Sequence, residues 1–316
     1  MKRRMEISEL IFKIVAYFFL IVFALMCVYP FIYAISSAFS SSNANSTGQV
    51  VLWPVEPTID AFAWAFTNST FWVSYSNTIF MTFLGTIWSL FYSILGAYAL
   101  SKKRIMGRRG WNFFLVFTMW FSAGVVATYA NYRDTANIFA TLFGSGEEGV
   151  ALMYTIDLKW VVVIAMGMNA TNIILLRNAF EGVPAEIEEA ARIDGATEMQ
   201  VLTKVYLPMS KATIATVALF FGISRWNGYF WAMRVMGEQQ RYSWPVQVFL
   251  RNFIENYTSF ITQYDPENNP WPYDANLSME GCAYAIVVCS VIPILIIYPF
   301  IQKYFAKGVN MGGVKE

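Results

Sequence analysis

Six apolar runs, each long enough to cross a bilayer, constrain this 316-residue chain more than any other feature. A helix needs about 20 predominantly apolar residues to span the hydrocarbon core, and in lipid its backbone must satisfy its own hydrogen bonds. The predicted spans are residues 11–35, 77–100, 111–130, 159–178, 211–233 and 281–301. The expected fold class is therefore all-α, a polytopic membrane protein with about six transmembrane helices in a single transmembrane domain, residues 1–316.

The charge content and the order of the segments support this fold class. Only 14% of the residues are charged, whereas soluble proteins average about 25%. The first apolar run follows Met-Lys-Arg-Arg, as in a signal peptide, but exceeds the usual signal core of about 7 to 15 residues, so we expect it to stay as an anchor. Asn131, Arg133 and Asp134 interrupt the region after the third span, where a partial re-entrant span is the alternative.

The distribution of basic residues predicts the orientation, because cytoplasmic loops of membrane proteins are enriched in Lys and Arg. With the N-terminus inside, 16 of the 22 basic residues are cytoplasmic, and residues 37–77 contain none. Both termini and the region 179–208 are then expected in the cytoplasm, with 235–280 as an extracellular loop. The polar and aromatic residues of 37–76 and 235–280 suit a face that meets another protein, although aromatic residues also concentrate at membrane interfaces.

A charged segment between the fourth and fifth spans has the pattern of two short helices. Pro184 suits a first helical position, and three glutamates follow it at the positive end of the helix dipole, Glu186, Glu188 and Glu189. A helix over 184–193 is therefore predicted. Asp194-Gly195 predicts a turn, and Thr197 with Gln200 forms a capping box that begins a second helix, which Pro208 is expected to stop. This unit is interpreted as a docking element, and a solvated loop is the alternative.

The residues Glu189-Ala-Ala-Arg-Ile-Asp-Gly195, twelve residues before Leu207-Pro208, resemble the EAA motif of ABC importer permeases. Three further stretches are similar to carbohydrate-uptake permeases: Leu52-Trp-Pro-Val-Glu-Pro-Thr58, Arg225-Trp-Asn-Gly-Tyr-Phe-Trp231 and the segment 298–309. The similarity covers nearly the whole chain. Within the maltose-type group it is greatest to the second permease subunit, in the oligosaccharide branch often labelled lipoprotein-type permeases.

This resemblance implies the type I ABC importer permease fold, in the plasma membrane of a bacterium. It implies a heterodimer with a second permease, two ATPase subunits that bind ATP and Mg²⁺, an extracellular solute-binding protein and a sugar substrate. A cleft of the ATPase would receive a coupling helix that contains Glu189, Ala190, Ala191, Asp194 and Gly195. The tail 303–316 is similar to family tails that reach toward the ATPase pair, and a frayed terminus is the alternative.

The chain itself is expected to bind no nucleotide, because it contains no GxxxxGK[ST] phosphate loop. It is therefore predicted to be a permease subunit without catalytic residues or a cofactor. Its partners are expected to include membrane lipid and no nucleic acid. Histidine is absent, which removes the commonest metal ligand, and no metal site is predicted.

A candidate substrate path lies in the fifth span, where Arg225, Asn227 and Tyr229 place polar groups beside Trp226. Aromatic faces cover the apolar patches of a sugar ring, while amide and guanidinium groups hydrogen-bond its hydroxyls. Polar residues in a membrane helix face a cavity or another helix, so these residues line the path or, alternatively, join helices.

Three other classes of function compete with sugar import. A permease for another solute, such as a peptide or amino acid, is the nearest. A channel or secondary transporter predicts intramembrane acidic or histidine relays, but the six predicted spans contain hardly any carboxylates. A membrane enzyme predicts a paired nucleophile and base or a metal constellation, and neither is found in the sequence.

Overall fold

The computed structural model describes residues 7–121, 123–143, 156–256 and 277–309, and within these ranges the chain forms helices and no strand. The helices are α1 Ile7–Ala38, α2 Ser42–Ser46, α3 Asp60–Thr67, α4 Ser69–Ser101, α5 Arg108–Trp120, α6 Gly124–Phe143, α7 Leu158–Ala165, α8 Ala170–Glu181, α9 Ala185–Ile193, α10 Glu198–Val201, α11 Leu207–Met209, α12 Lys211–Trp226, α13 Tyr229–Met236, α14 Val246–Glu255 and α15 Met279–Val309. A π turn, Leu202–Tyr206, joins α10 to α11, and Arg241–Ser243 form a 3₁₀ turn.

The number of membrane-length segments agrees with the sequence. In the described part of the chain α1, α4 and α15 are each long and apolar enough to cross a membrane. Three bent pairs are also apolar enough: α5 with α6 at 115°, α7 with α8 at 48°, and Glu198–Met209 with α12 at 86°. Counting each bent pair as one span gives up to six, which confirms the predicted all-α class with about six spans.

The third to fifth spans are each interrupted, whereas each was expected as one apolar run, with a partial re-entrant span as the alternative around the third and fourth. The third breaks before Gly124, whose φ of 75° is the left-handed conformation that glycine adopts without steric cost. The fourth breaks between α7 and α8, where the side chain of Asn169 accepts a hydrogen bond from the Asn172 amide and so caps a new helix. The fifth ends at Trp226, before the predicted limit of 233.

The segment 235–280, expected as a loop, contains helix α14. Its first part is tied to the helices of its own unit by hydrogen bonds that are buried or partly buried. The amide of Asn77 donates to the Tyr242 carbonyl at 2.7 Å, and the Val246 amide donates to the Thr78 hydroxyl at 2.8 Å. The amide group of Gln240 bonds to the Leu158 N–H and the Ile156 carbonyl. Residues 257–276 and 310–316, the end of the predicted tail, lie outside the described residues.

The chain divides into two compact units. The first comprises the described residues up to Phe71 together with Leu250–Ile292. In its interior the Trp64 and Phe253 rings lie 4.9 Å apart, centroid to centroid. Gly281 permits a close approach there, since an added Cβ would lie 2.9 Å from the Ser278 hydroxyl. Most large apolar side chains of α1 are exposed, as expected for a helix that faces lipid or another subunit.

The second unit comprises Trp72–Phe249 and the residues from Pro293 onward. Its described residues form two apolar cores, which both include side chains of the long helix α4. One packs Met81 against α6, α7 and α13, with Tyr132, Val161 and Met236 among its buried members. The other packs Ala97 against α8, the π turn and α12. This second core lies directly beneath the segment that carries the EAA-like motif.

Candidate functional site

The EAA-like segment folds as its local sequence predicts, with one exception. Helix α9 runs from Ala185 to Ile193, so that Pro184, predicted at the first helical position, is one residue earlier as the N-cap residue, and Gly195 has a φ of 80°. The capping box is present: the Gln200 amide donates to the Thr197 hydroxyl, and the Thr197 amide donates to the Gln200 side chain at 2.8 Å. The predicted helix, turn and second helix start are thus found in the structure.

The exception is Pro208, which does not stop the second helix. It lies inside α11, and the chain turns by 86° only after Met209, where α12 begins. A proline in a regular helix would lose a hydrogen bond and clash with the carbonyl four residues earlier. The preceding turn, Leu202–Tyr206, is a π turn, closed by a hydrogen bond from the Leu207 amide to the Leu202 carbonyl. This wider turn accommodates the proline without ending the helix.

Helix α9 has two faces of different character, because residues three and four apart lie on one side of a helix. The outward face carries Glu186, Glu189, Ala190 and Ile193, all exposed. Ile193 is 86% exposed. We call this surface, together with the exposed Ile187, Asp194, Gly195 and Met199, the docking face. It combines carboxylates with unpartnered apolar side chains.

The inward face of α9 is held by a charged cluster around Glu188. Its carboxylate lies 2.9 Å from the Lys102 ammonium, accepts a hydrogen bond from the Tyr206 hydroxyl at 2.5 Å and accepts another from Arg192 at 2.8 Å. Lys102 is only 6% exposed, and its ammonium lies 4.2 Å and 3.9 Å from the ring centroids of Tyr98 and Tyr206. The cluster joins the end of α4 to α9 and to the π turn.

A second carboxylate extends this cluster to the start of α10. Glu198 lies 2.6 Å from both Arg192 and Arg104, and the Tyr98 hydroxyl donates to it at 2.9 Å. Arg192 therefore bridges Glu188 and Glu198. The inward anchor, as we name Tyr98, Lys102, Glu188, Arg192, Glu198 and Tyr206, holds both short helices against α4.

The anchor keeps Glu188 ionised at neutral pH. Partial burial opposes ionisation, but the Lys102 ammonium and the hydrogen bonds from Tyr206 and Arg192 outweigh it and lower the pKa of Glu188 to about 2. In the sequence, Glu188 is one of three glutamates at the positive end of a helix dipole, and Lys102 is one of the basic residues that place the following turn in the cytoplasm. Only the i, i+4 spacing of Glu188 and Arg192 pointed to part of the cluster. The contact with Lys102, 86 positions away in the sequence, required the fold.

The candidate path residues Arg225, Trp226, Asn227 and Tyr229 do not share one surface. Trp226 is buried, with its ring 6.2 Å from that of Tyr75, and it lines an apolar groove of about 400 Å³ beside α12 and α15. Asn227 and Tyr229 are exposed at the break between α12 and α13. The Asn227 amide donates to the Ile223 carbonyl at 3.1 Å.

Arg225 is buried and completes the end of the broken fourth span. Its guanidinium donates to the carbonyls of Val162 and Val163, at 2.8 Å and 3.0 Å, and to the Ser89 hydroxyl at 2.9 Å. Both carbonyls belong to the last turn of α7, where the helix cannot supply donors of its own. Gly85 allows this approach, because a Cβ there would lie 3.0 Å from Arg225 Nε.

Arg225 also lines a cavity of about 530 Å³ that the sequence did not reveal. We call it the polar cavity and define it by six of its lining residues, Asn131, Tyr132, Asn169, Ser224, Arg225 and Trp231. They come from α6, the break before α8, α12 and α13. The stacking of Trp231 on Tyr132, with centroids 5.2 Å apart and planes at 17°, forms part of its wall. Amides beside an aromatic pair are the chemistry that a sugar site requires.

Comparison with known proteins identifies the group to which this architecture belongs. Residues 2–311 match the family described as "Binding-protein-dependent transport system inner membrane component". The chain belongs to this family. It is therefore the membrane subunit of an ABC transport system, an integral protein of the cell membrane and not an enzyme, since ATP hydrolysis in these systems is carried out by partner ATPase subunits.

Two relatives from Bacillus subtilis extend over nearly the full length. The polygalacturonan/rhamnogalacturonan transport system permease protein YtcP is 33% identical, covering 96% of this chain and 98% of the relative. The protein LplC is 32% identical over 91% of this chain and 89% of its own.

A solved structure is also similar throughout. It is a chain in the crystal structure of a bacterial ABC transporter involved in the import of the acidic polysaccharide alginate, with 40% identity, a TM-score of 0.79 and coverage of 96% of this chain and 100% of that one. The predicted family and its permease fold are thereby confirmed.

Proposed function

We propose that this protein is the permease subunit of an importer for oligosaccharides that contain uronic acids. The similarity to the alginate importer, at 40% identity over 96% of the chain, carries the proposal. The relative named for polygalacturonan transport supports it, since polygalacturonan, like alginate, bears a carboxylate on its sugar rings. A peptide or amino-acid importer has no comparable support.

In the proposed complex, this chain pairs with a second permease, and an extracellular binding protein delivers the sugar. Two ATPase subunits bind ATP and Mg²⁺ in the cytoplasm. Both termini and residues 179–208 lie on the cytoplasmic side, and the whole chain acts as one permease domain. Family membership and the distribution of basic residues support this arrangement.

The docking face is the proposed contact with an ATPase subunit. Its exposed Ile193 and Met199 are apolar side chains outside the predicted spans, where lipid does not cover them. Exposed apolar residues rimmed by charges suit a protein interface, in which Glu189 and Asp194 fix the orientation and Ala190 and Gly195 allow close approach. Ala191, also predicted to take part, packs against the core beneath the helix and would support this face from within.

The inward anchor would transmit the movement of this contact. Because Glu188 and Glu198 bind side chains of α4 and its following turn, a displacement of α9 pulls on a membrane-length helix directly. Closure of the ATPase pair would then rotate the permease halves between inward-open and outward-open states. Arg225, Trp226, Asn227 and Tyr229 remain proposed contributors to the path, with Arg225 reaching it through the polar cavity.

The test is uptake by the complete importer, reconstituted in proteoliposomes with its cognate second permease, ATPase and binding protein. We expect ATP-dependent uptake of oligogalacturonate or of alginate oligosaccharides. Maltotriose and tripeptides are the neutral and non-sugar controls. Uptake of either control without uptake of any uronate oligosaccharide would contradict the proposal.

A further inference from the structure

We propose that the polar cavity is a subsite of this subunit that recognises the carboxylate of a sugar ring in transit. The inference rests on the proposed function and adds to it the place and the chemistry of recognition. The cavity volume of about 530 Å³ falls in the range of small-molecule sites, about 300–1,000 Å³.

Arg225 brings a positive charge to the wall of the polar cavity. Arg225 is 8% exposed, and in the described part of the chain its partners are two backbone carbonyls and a serine hydroxyl, with no carboxylate near enough for an ion pair. None of the described residues that line the cavity is acidic. A buried cation whose partners are all neutral acceptors still attracts an anion in a site of low dielectric. The cavity therefore favours an anionic ligand.

The break in the fourth span brings the N-terminus of helix α8 to the polar cavity. Helix α8 has 12 residues and starts at this cavity, where Asn169, Thr171 and Asn172 all contribute to the lining. The N-terminus of a helix carries a partial positive charge. Transporters with interrupted helices direct such ends at the anionic groups of their substrates. The positive end of α8 and the positive charge of Arg225 thus both attract a carboxylate in the cavity.

The polar cavity also offers an aromatic surface for the sugar ring. Trp231 is partly exposed in the cavity and is held in place by Tyr132, which is buried. An indole fixed in this way offers an apolar surface for a ring face. The side-chain amides of Asn131, exposed on α6, and of Asn169, whose oxygen caps α8, carry N–H groups that can donate hydrogen bonds. Inorganic anions would use the charge but not the aromatic surface.

The experiment compares three variants of the complete importer in proteoliposomes, with oligogalacturonate as the probe. Asn131→Asp adds a negative charge to the wall, whereas Asn131→Leu removes the same amide without adding charge. Asn137→Asp places an identical charge on α6 outside the cavity and is the matched control. Recovery of the assembled complex is measured for each variant by size-exclusion chromatography.

We expect Asn131→Asp to lower uptake per assembled complex by at least about tenfold, equivalent to about 1.4 kcal/mol. Asn131→Leu should lose less, and Asn137→Asp should match the unmodified importer. If Asn131→Asp prevents assembly, Ser224→Asp on another part of the wall replaces it with the same expectation.

Equal uptake by Asn131→Asp and Asn137→Asp would overturn the subsite. Equal losses in Asn131→Asp and Asn131→Leu would overturn recognition of the carboxylate. If the unmodified importer takes up neither oligogalacturonate nor alginate oligosaccharides, the proposed function itself fails, a result that the variants cannot produce.

Discussion

Lys102 shows how a single residue takes on a role that its sequence context conceals. It lies in a basic run at the end of a membrane-length helix, where such residues set the orientation. In the structure, however, its neighbour Lys103 is exposed, whereas Lys102 is buried between two tyrosine rings and faces Glu188. The difference between these adjacent lysines depends on tertiary contacts and is not encoded locally.

Replacing Lys102 is expected to destabilise the protein. Lys102→Met leaves Glu188 partly buried without its ammonium partner, and breaking such a pair costs about 3–5 kcal/mol. We expect the lower end of this range, because Arg192 and Tyr206 still bind Glu188. Thermal unfolding of the purified complex measures the change. Lys103→Met is the matched control and should stay within about 0.5 kcal/mol, and equal midpoints for both variants would argue against the anchor.

The depressed pKa of Glu188 predicts a dependence of stability on pH. A carboxylate whose pKa falls from 4.5 to about 2 on folding contributes stability above pH 4.5, and this contribution is lost as the pH falls toward 2. Between about pH 5 and pH 3 the unmodified protein should therefore lose more thermal stability than Glu188→Gln, which cannot titrate at this position. Parallel curves for the two proteins would show that the group is not linked to folding.

Two substitutions of Gly195 distinguish backbone strain within this chain from steric obstruction of the proposed ATPase contact. An added Cβ meets open space within this chain, but the φ of 80° disfavours any side chain, by about 1–2 kcal/mol. Gly195→Ala should therefore reduce stability slightly and retain copurification of the ATPase. Gly195→Trp should insert without difficulty and lose the ATPase, because its bulk projects from the docking face. Normal copurification together with normal transport in Gly195→Trp would contradict the docking proposal.

At the scale of the helices, the sequence predicted where the membrane spans lie better than it predicted the breaks within them. Hydrophobic runs located all six candidate spans, because the length needed to cross lipid is fixed by geometry. They did not reveal the breaks, since the residues that stop a helix there are few and of ordinary type. Asn169 and Asp157 are recognisable as caps only once the helices α8 and α7 that follow them are known. The polar cavity depends on the break before α8, so it could not be predicted either.

Two glycines near the end of α12 should respond differently to substitution by alanine: Gly228 lies at the break between α12 and α13, and Gly222 lies inside α12. A Cβ on Gly228 would lie 3.0 Å from the Ser224 carbonyl oxygen, so Gly228→Ala must shift the turn and should destabilise the protein by about 1–3 kcal/mol. Gly222 lies inside α12, and the nearest atom to an added Cβ is 3.8 Å away. Gly222→Ala should therefore be neutral or stabilising by up to about 1 kcal/mol. Thermal unfolding of both variants provides the measurement, and a reversed order would refute the assigned strain.

For the whole molecule, family and fold class followed from the sequence because one short motif and the membrane-length runs are both specific. The outer connections were less predictable. The segment 235–280 was expected as a loop, but hydrogen bonds from Asn77 and Gln240 hold its first part against the helices. The bond between Asn77 and Tyr242 joins residues 165 positions apart, so no local pattern indicates it.

The orientation of the whole chain predicts a pattern of chemical labelling. In a background without Cys27, Cys282 and Cys289, cysteine at the exposed position Ser46 should react with an impermeant thiol reagent applied from outside, and cysteine at the exposed Lys103 should not. Mass tagging of intact cells and of inverted vesicles gives the two readings. The opposite pattern would reverse the assignment of both termini to the cytoplasm.

The π turn at Leu202–Tyr206 has a consequence for insertions and deletions. It holds one residue more than an α-helical turn and lies between the EAA-like motif and α12. Each residue of a helix turns the chain by about 100°, so deleting one residue here would regularise the helix and rotate the docking face by about that angle relative to α12. Surface loops tolerate insertions and deletions because their irregular backbone can adjust to a change in length. Between Gly195 and Lys211 helices and tight turns follow one another directly, so the number of residues itself sets how the proposed docking face is oriented relative to α12.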